Sequence, residues 1–368
     1  MSKGLFYNRL AQVMHLVFNY VYPQPLSLYL GAYFKENKNL GSRDRKQIKE
    51  WFYAYFKSDV VIDDLETELI YILQHGKSPI LEKVQSLSST EFNETPEARS
   101  FPLSSELSDE LPEECIPHLK SEKLTWVRSD VEPEEFVLKR GEQVYGLNKS
   151  AQIQEGNYAQ IQDLASFLAS KKVADAIRLS ADEESFHFWD ACSGAGGKSL
   201  AILSQLKAGR DRYEWYCSDK RSLSLKNAKK RLKNEEGVQF AYVDLSQQRD
   251  SLTFNNRSIG LGHFDAVLLD LPCSGSGTWG RNPQHLRNFK ASDLAKYTQL
   301  QRQIVKSTLP MLKSGGSLFF VTCSTYAAEN EDQLAWMMES FDLEIKTQTY
   351  IGEPTSDLLF WAHLIKKS

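Results

Sequence analysis

Two cysteines follow apolar segments of the chain and are candidates for chemistry. Cys273 lies in the Asp-Leu-Pro-Cys-Ser-Gly motif of residues 270–275, and Cys323 lies in the Thr-Cys-Ser motif of residues 322–324. A lone cysteine after a strand is usually a small core residue. Two such cysteines are unusual as core residues when one follows an Asp and a Pro and the other opens a turn rich in Ser and Thr. We therefore treat both thiols as candidate functional groups.

A glycine-rich segment forms a second candidate site. Residues 190–199 read Asp-Ala-Cys-Ser-Gly-Ala-Gly-Gly-Lys-Ser, a pattern of strand end, turn and helix start in which backbone N–H groups can approach a ligand closely. The end of the segment imitates a phosphate-binding loop, but that motif needs a glycine where this chain has Cys192. The dinucleotide-binding fingerprint also fails, because the glycines fall at positions 194, 196 and 197.

Acidic residues end three successive predicted strands, at Asp190, Asp219 and Asp244. An acid at the second of these positions can accept hydrogen bonds from ribose hydroxyls, and Asp244 is placed to meet the base of the same nucleoside. Each acid alone could instead cap a helix. Three in succession are harder to explain by capping and favour a nucleoside site.

The elements that position these residues alternate between strands and helices from about residue 160 onward. We predict a doubly wound sheet with helices on both faces, in which ligands bind at the carboxyl ends of the strands. The predicted strands are Phe186–Ala191, Trp215–Ser218, Val238–Val243, Phe264–Leu271, Ser317–Thr322, Glu344–Tyr350 and Leu358–Ile365. The predicted helices between them are Arg221–Asn234, Asp293–Leu312, capped by Gly315-Gly316, and Glu329–Ser340.

The region before residue 160 differs in pattern and in charge. Residues 5–75 show helical spacing of apolar residues, and 86–122 are rich in Ser, Glu and Pro, which favours an irregular connection. Short extended runs follow at 124–127 and 136–138. Residues 1–60 carry a net charge of +5, residues 61–136 carry −12 and the remainder +3. The acidic stretch is interpreted as a solvated face or linker.

Composition excludes several classes of protein. The chain has 368 residues, is 41% hydrophobic and 25% charged, and has a net charge of −4. These values exclude a disordered chain, a collagen-like fibre and a disulfide scaffold. The five cysteines show no close pair of the zinc or redox kind, and no apolar run approaches membrane-spanning length. We expect a soluble, cytoplasmic monomer without a metal.

The motifs resemble those of the Nop/Sun family of RNA cytosine-5 methyltransferases over about residues 124–368. The resemblance rests on the Gly-Asn-Tyr of 156–158 with Gln162-Asp163, the segment 190–199, the Pro-Cys motif with Arg-Asn-Pro at 281–283, and the Thr-Cys motif with Glu-Asn-Glu at 329–331. It implies a Rossmann-like class I methyltransferase domain with a seven-stranded sheet at 161–368, preceded by a small linking α/β region at 86–160. Residues 1–85 form an all-helical domain that is similar, at 40–53, to the NusB-like RNA-binding domain of the family's bacterial 16S ribosomal RNA methyltransferase.

The resemblance also assigns roles to the candidate residues. Cys323 is the nucleophile that attacks carbon 6 of cytosine, and Cys273 assists release of the methylated RNA. Asp270 holds the ring nitrogen and amino edge of the base while it borders the methyl donor, S-adenosylmethionine. Lys198 activates a thiol or contacts the substrate; a solvated lysine is the alternative. The implied donor-binding residues are Cys192, Ser193, Gly194, Ala195, Gly196, Gly197, Lys198, Asp219, Asp244 and Asp270.

The chain departs from the family pattern at two places. Gly194-Ala195 stands where the family usually has Ala-Pro, and Gly280 replaces a basic residue before the Arg-Asn-Pro motif. DNA cytosine-5 methyltransferases use the cysteine of a Pro-Cys motif as nucleophile, but their Pro-Cys-Gln and Glu-Asn-Val motifs are missing here. We therefore expect an RNA substrate, with ribosomal RNA favoured over transfer RNA. A non-catalytic RNA-binding ribosome-assembly factor is the alternative outside the enzyme class.

Overall fold

A computed structural model describes residues 3–75, 96, 101–102, 104–121, 123–129, 133, 136–140, 144–147, 159–180, 185–206, 213–247 and 250–367. Ten α-helices lie within these residues: α1 Lys3–Phe18, α2 Leu26–Glu36, α3 Ser42–Lys57, α4 Leu65–His75, α5 Leu164–Ser180, α6 Gly197–Gln205, α7 Ser222–Arg231, α8 Gln284–Asn288, α9 Ala291–Thr308 and α10 Glu331–Ser340. The thirteen strands of the same residues are β1 Thr125–Ser129, β2 Leu138–Arg140, β3 Val144–Leu147, β4 Ala159–Ile161, β5 Phe186–Asp190, β6 Tyr213–Asp219, β7 Val238–Tyr242, β8 Leu252–Phe254, β9 Arg257–Ile259, β10 Phe264–Asp270, β11 Leu312–Thr322, β12 Leu343–Gly352 and β13 Leu358–Lys366.

A seven-stranded sheet in the order β12-β13-β11-β10-β5-β6-β7 confirms the predicted fold class. Strands β11, β10, β5, β6 and β7 run parallel, and β13 is antiparallel to both β11 and β12. Successive residues of β10 are buried on both faces of the sheet, as expected when a parallel sheet is covered on both sides. The carboxyl ends of the five parallel strands therefore meet at one edge.

The core beneath that edge is built from large side chains of the sheet and of two helices. Phe188 of β5 stacks on Trp215 of β6 with ring centroids 3.9 Å apart, and both side chains are fully buried. Apolar residues of α5 and α6, such as Val173 and Ile202, pack into the same cluster. Burial of this much apolar surface fixes the positions of the strand ends.

Three predicted element boundaries were wrong. Gly315-Gly316 does not cap a helix but lies within β11, where Leu312 pairs with Phe264 and Ser317 pairs with Ala266, so that 313–316 form a bulge. The preceding helix α9 ends at Thr308, just before a 3-10 turn that contains Pro310, whose missing N–H cannot continue the helix. Helix α10 starts at Glu331 rather than at 329, after a 3-10 turn at Ala327–Glu329.

The chain divides into two compact units. Unit 1 comprises Met1–Ser105 with Trp279–Lys290, and unit 2 comprises Glu106–Thr278 with Ala291–Ser368. In unit 1, helices α1–α4 pack around a core that includes Phe6, Trp51 and Phe52. Helix α3, which begins at Ser42, contributes Trp51 and Phe52 to this core. The three-part division at residues 85 and 160 stays a prediction.

Segment Trp279–Lys290 joins unit 1 through buried contacts. The Arg287 guanidinium lies 2.8 Å from a Glu68 carboxylate oxygen, with side-chain exposures of 5% and 7%, and 3.8 Å from the Tyr55 ring centroid. Tyr22 and His285 share a hydrogen bond of 2.9 Å. The Arg-Asn-Pro motif at 281–283 therefore belongs to the helical unit, although the sequence places it in the catalytic domain.

A second, four-stranded antiparallel sheet in the order β2-β3-β1-β4 belongs to unit 2. The extended run predicted at 124–127 overlaps β1 and the run predicted at 136–138 reaches the start of β2, whereas β3 and β4 were not predicted. No helix in the described part of the chain is long and apolar enough to cross a membrane.

Candidate functional site

The glycine-rich turn connects β5 to α6 at the carboxyl edge of the sheet. Gly196 precedes the first turn of α6 with a φ of +77°, a left-handed conformation that favours glycine. A Cβ atom at this position would lie 3.1 Å from the Leu232 side chain and 3.3 Å from Ala228. The turn is therefore held close to the end of α7. Its backbone conformation requires a glycine at position 196, which has no Cβ atom.

Side chains of neighbouring segments fix the two ends of this turn. The Ser193 N–H donates to the Ser218 carbonyl at 2.9 Å, and the Gly194 N–H donates to the Asp219 carboxylate at 2.9 Å. The Gln162 amide donates to the Gly197 carbonyl at 3.2 Å, which ties the Gln-Asp motif to the turn. The Gly-Asn-Tyr motif at 156–158 lies outside the described residues.

Asp219 is buried and its carboxylate is surrounded by donors. Besides Gly194 N–H, it accepts bonds from the Arg221 backbone N–H at 2.7 Å and from the Arg221 guanidinium at 3.0 and 3.1 Å. Burial alone would raise the pKa of Asp219, but the hydrogen bonds and the charge of Arg221 outweigh it and lower the pKa. Asp219 therefore stays ionised, while the Arg221 side chain that covers it is 65% exposed.

A cavity of about 420 Å³ opens at the ends of β5, β6, β7, β10 and β11. Five of the predicted site residues at these ends line it together with Cys273 and Cys323: Cys192, Gly194, Asp219, Asp244 and Asp270. Ser193, Ala195, Gly196, Gly197 and Lys198 are not part of its wall. The Asp244 carboxylate accepts bonds from Ser246 at 3.0 and 2.7 Å, so that it also serves as a local cap.

Sequence reasoning missed one wall of the cavity, which comes from helix α9. Tyr297, Leu300 and Ile304 line the cavity at a spacing of three and four residues along that helix. The sequence shows these residues as an apolar face of a helix, but a face of this kind ordinarily packs into the protein core. Sequence reasoning also missed the contact of Arg221 with Asp219, the candidate acceptor for the ribose hydroxyls.

Lys198 and Asp270 form an ion pair beside the two cysteines. The Lys198 ammonium donates to the Asp270 carboxylate at 2.7 Å, with side-chain exposures of 14% and 35%. Burial lowers the pKa of Lys198, but the charge of Asp270, its hydrogen bond and the negative charge of a Cys323 thiolate raise it above its usual value overall. Lys198 is therefore a charged member of the site and not a solvated surface lysine.

The two cysteines lie in contact at this edge. Their Sγ atoms are 3.4 Å apart, and both side chains are half-buried and free of disulfide bonds. The hydrogen bond with Cys323 is the main cause that raises the pKa of Cys273 well above its usual value, followed by burial and by nearby negative charge. A thiol whose pKa is raised stays protonated at neutral pH.

Buried hydrogen bonds join the loops that carry the cysteines. Glu329 is fully buried and accepts the Ser274 N–H at 2.8 Å and the Ser274 hydroxyl at 2.5 Å. Burial raises the pKa of Glu329. The Gly277 N–H donates to the Cys323 carbonyl at 2.9 Å, and a Cβ on Gly277 would lie 2.1 Å from the Leu358 carbonyl oxygen. Only glycine fits at this crossing.

Asp190 lies beneath the site. One of its carboxylate oxygens accepts the Ser199 hydroxyl at 2.6 Å, while the other is buried without a hydrogen-bond partner among the described residues. Burial raises the pKa of Asp190 to about 7. Burial also raises the pKa values of Cys192 and Cys217, which makes them unreactive as nucleophiles. Within the residues that the structure describes, no group of His, Cys, Asp and Glu could hold a metal ion.

Comparison with known proteins relates about half of the sequence to a described family. Residues 176–355 match the sequence model of a family described as 16S rRNA methyltransferase RsmB/F. The ribosomal RNA small subunit methyltransferase B of Salmonella newport is 30% identical over 191 residues, which are 49% of this chain and 42% of that protein. The probable ribosomal RNA small subunit methyltransferase B of Bacillus subtilis is 31% identical over 186 residues, which are 50% of this chain and 38% of that protein. The chain spans less than half the length of these curated relatives.

The fold matches a solved structure over nearly the whole chain. The crystal structure of PH0851 superimposes with a TM-score of 0.66 at 18% identity and covers 97% of this chain and 96% of that one. This likeness concerns the fold alone. The sequence match, which includes both cysteine motifs, confirms the resemblance seen in the sequence: residues 176–355 are similar to the 16S rRNA methyltransferase RsmB/F family.

Proposed function

We propose that the protein transfers a methyl group from S-adenosylmethionine to carbon 5 of a cytosine in RNA, through a covalent adduct with Cys323. The observation that carries the proposal is the contact of two thiols, 3.4 Å apart, beside a Lys198–Asp270 ion pair at the mouth of one cavity. A family match to ribosomal RNA methyltransferases supports the substrate class.

The methyl donor is bound by the cavity at the strand ends. The ionised Asp219 accepts hydrogen bonds from the ribose hydroxyls, and the part of the glycine-rich turn that lines the cavity, at Cys192 and Gly194, faces the amino acid part of the donor. The apolar wall of α9 and the nearby Asp244 receive the adenine. When bound, the donor supplies an electrophilic methyl group.

Cytosine needs covalent help because its carbon 5 is a poor nucleophile. A thiolate that adds to carbon 6 makes carbon 5 enamine-like, so that carbon 5 can take the methyl group. A solvent water then takes the proton from carbon 5, the electron pair of that bond restores the double bond between carbons 5 and 6, and the bond between sulfur and carbon 6 breaks to return the Cys323 thiolate. Asp270 holds the ring nitrogen and amino edge of the base during these steps.

The resemblance assigns the roles of the two cysteines, and two features of their surroundings support that assignment. The two Sγ atoms lie 3.4 Å apart, so a protonated Cys273 can donate a hydrogen bond to a Cys323 thiolate and stabilise its charge. The Lys198 ammonium interacts with that same charge. Cys323 is therefore the attacking thiolate, and Cys273 assists the release of the methylated RNA.

The RNA is ribosomal, with transfer RNA as the other candidate. The target base must be unpaired or turned out of its helix to reach the thiols. Unit 1 contributes RNA contacts through the +5 charge of residues 1–60. The basic helix α7 is a second candidate contact surface.

Bisulfite sequencing tests the proposal. Total RNA from cells with and without the protein should differ at one or a few cytosines, and purified protein with S-adenosylmethionine should restore the mark. A site in ribosomal RNA supports the preferred substrate, whereas a site in transfer RNA selects the alternative. If no cytosine changes although the purified protein binds RNA and S-adenosylmethionine, the cytosine-5 chemistry is wrong.

A further inference from the structure

Gln301 is a fully buried polar residue on helix α9, next to the loop that carries Cys273. Its side-chain amide donates to the Pro272 carbonyl at 3.2 Å. Its own carbonyl oxygen is buried without a hydrogen-bond partner among the described residues. A buried glutamine that satisfies only half of its hydrogen-bonding groups is unfavourable for stability, which indicates a purpose other than packing.

The hydrogen bond from Gln301 fixes the orientation of the peptide group between Pro272 and Cys273. The Leu271 N–H makes the last ladder bond of this strand end, to the Val321 carbonyl at 2.9 Å, and Pro272 has no N–H to donate. The Pro272 carbonyl and the Cys273 N–H belong to one planar peptide group. A side chain that holds the Pro272 oxygen therefore fixes the plane on the amino side of Cys273.

Glu329 fixes the plane on the other side of Cys273. The peptide group between Cys273 and Ser274 includes the Ser274 N–H, which Glu329 accepts at 2.8 Å. Two buried side chains from different elements, Gln301 and Glu329, thus hold the two peptide planes that flank one reactive residue. With both planes held, the φ and ψ angles of Cys273 are held as well, and so is the direction of its Cα–Cβ bond, from which the thiol extends.

We propose that Gln301 is a positioning residue that aims the Cys273 thiol for the release of the methylated RNA. The proposal rests on the proposed function, because it concerns the second cysteine of the covalent mechanism. Gln301 acts on Cys273 through the Pro272 peptide and has no role in the attack by Cys323. Its loss slows release selectively and leaves donor binding and adduct formation in place.

The test compares Gln301→Leu with Ser307→Ala in the full-length protein. Ser307 is a matched control, because it is buried on the same helix and donates a bond to the Gln247 carbonyl at 3.2 Å, away from the cysteines. In single turnovers with substrate RNA and S-adenosylmethionine, the lifetime of the protein–RNA adduct is followed by denaturing electrophoresis. We expect a lifetime about 10- to 100-fold longer in Gln301→Leu, the range that small misplacements of a reacting group produce. We expect no change in Ser307→Ala.

A second variant separates positioning from packing. In Gln301→Glu the protonated carboxyl can donate to the Pro272 oxygen, whereas the ionised carboxylate cannot. The adduct lifetime of Gln301→Glu, relative to wild type at the same pH, should therefore increase as the pH rises, while that of Gln301→Leu should not depend on pH. Equal pH profiles for the two variants would overturn the proposal, as would an adduct in Gln301→Leu that resolves at the wild-type rate.

The failure of this proposal differs from the failure of the proposed function. If Cys273→Ala accumulates an adduct and Gln301→Leu does not, the cytosine mechanism stands and the role of Gln301 is wrong. If neither variant accumulates an adduct and Cys323→Ala still methylates RNA, the covalent mechanism itself is wrong.

Discussion

Arg221 should oppose, rather than assist, the binding of the methyl donor. An ionised carboxylate has about four lone-pair positions for hydrogen bonds. The Asp219 carboxylate already accepts four bonds, two from backbone N–H groups and two from the Arg221 guanidinium. The hydroxyls of a ribose can therefore reach Asp219 only if they displace the guanidinium.

The size of the effect follows from the exposure of Arg221. Because its side chain is 65% exposed, its ion pair with Asp219 contributes only about 0.2–1 kcal/mol. Arg221→Met should therefore tighten binding of S-adenosylhomocysteine by up to about fivefold. Asp219→Ala should have the opposite effect and weaken binding by about 1–3 kcal/mol, because the ribose hydroxyls lose their acceptor.

Isothermal titration calorimetry at constant salt measures both effects. Lys226→Met is the control, because it removes one positive charge from an exposed position of the same helix. A loss of affinity of tenfold or more in Arg221→Met, with no change in Lys226→Met, would refute this reasoning. It would mean that the guanidinium itself contacts the donor.

Three further predictions concern other parts of the molecule. Lys198→Met should lower methylation at neutral pH, because it removes the cation that pairs with Asp270 beside the two thiols; unchanged methylation would contradict this role. Asp190 has a folded-state pKa of about 7, above its usual value, so the folded state holds an extra proton at intermediate pH. The free energy of unfolding should therefore fall as pH rises from about 4 to about 7, a dependence that Asp190→Asn should weaken in urea titrations. Arg287→Met should destabilise unit 1 by about 3–5 kcal/mol by leaving Glu68 buried and unpaired, and adding Glu68→Met should recover most of that loss.

The strand ends could be predicted from the sequence because they depend on simple patterns. Apolar runs followed by an acid or a cysteine predict strands that end at a ligand edge, and the parallel sheet brings Asp219, Asp244, Asp270 and both cysteines to one cavity. The bulge at 313–316 could not be predicted, because it depends on the register between β11 and β10. A pair of glycines in sequence fits a helix end equally well.

Contacts between residues far apart in the chain were beyond sequence reasoning. The side chains of Arg287 and Glu68 meet although 219 positions separate them, and no local pattern signals that pairing. The bond from Gln301 to the Pro272 carbonyl is of the same kind, because it depends on the side-chain rotamer and on the path of the loop. The motif residues could be identified, but the groups that hold them in place could not.

The fate of the protein–RNA adduct in the two cysteine variants tests the central claim most directly. Cys323→Ala should abolish methylation and form no adduct, because no thiolate remains to attack carbon 6. Cys273→Ala should form an adduct that survives denaturing electrophoresis and accumulates only with S-adenosylmethionine, and the double variant should form none. A trapped adduct in Cys323→Ala with none in Cys273→Ala would reverse the two roles. Full methylation by both single variants would contradict the covalent mechanism.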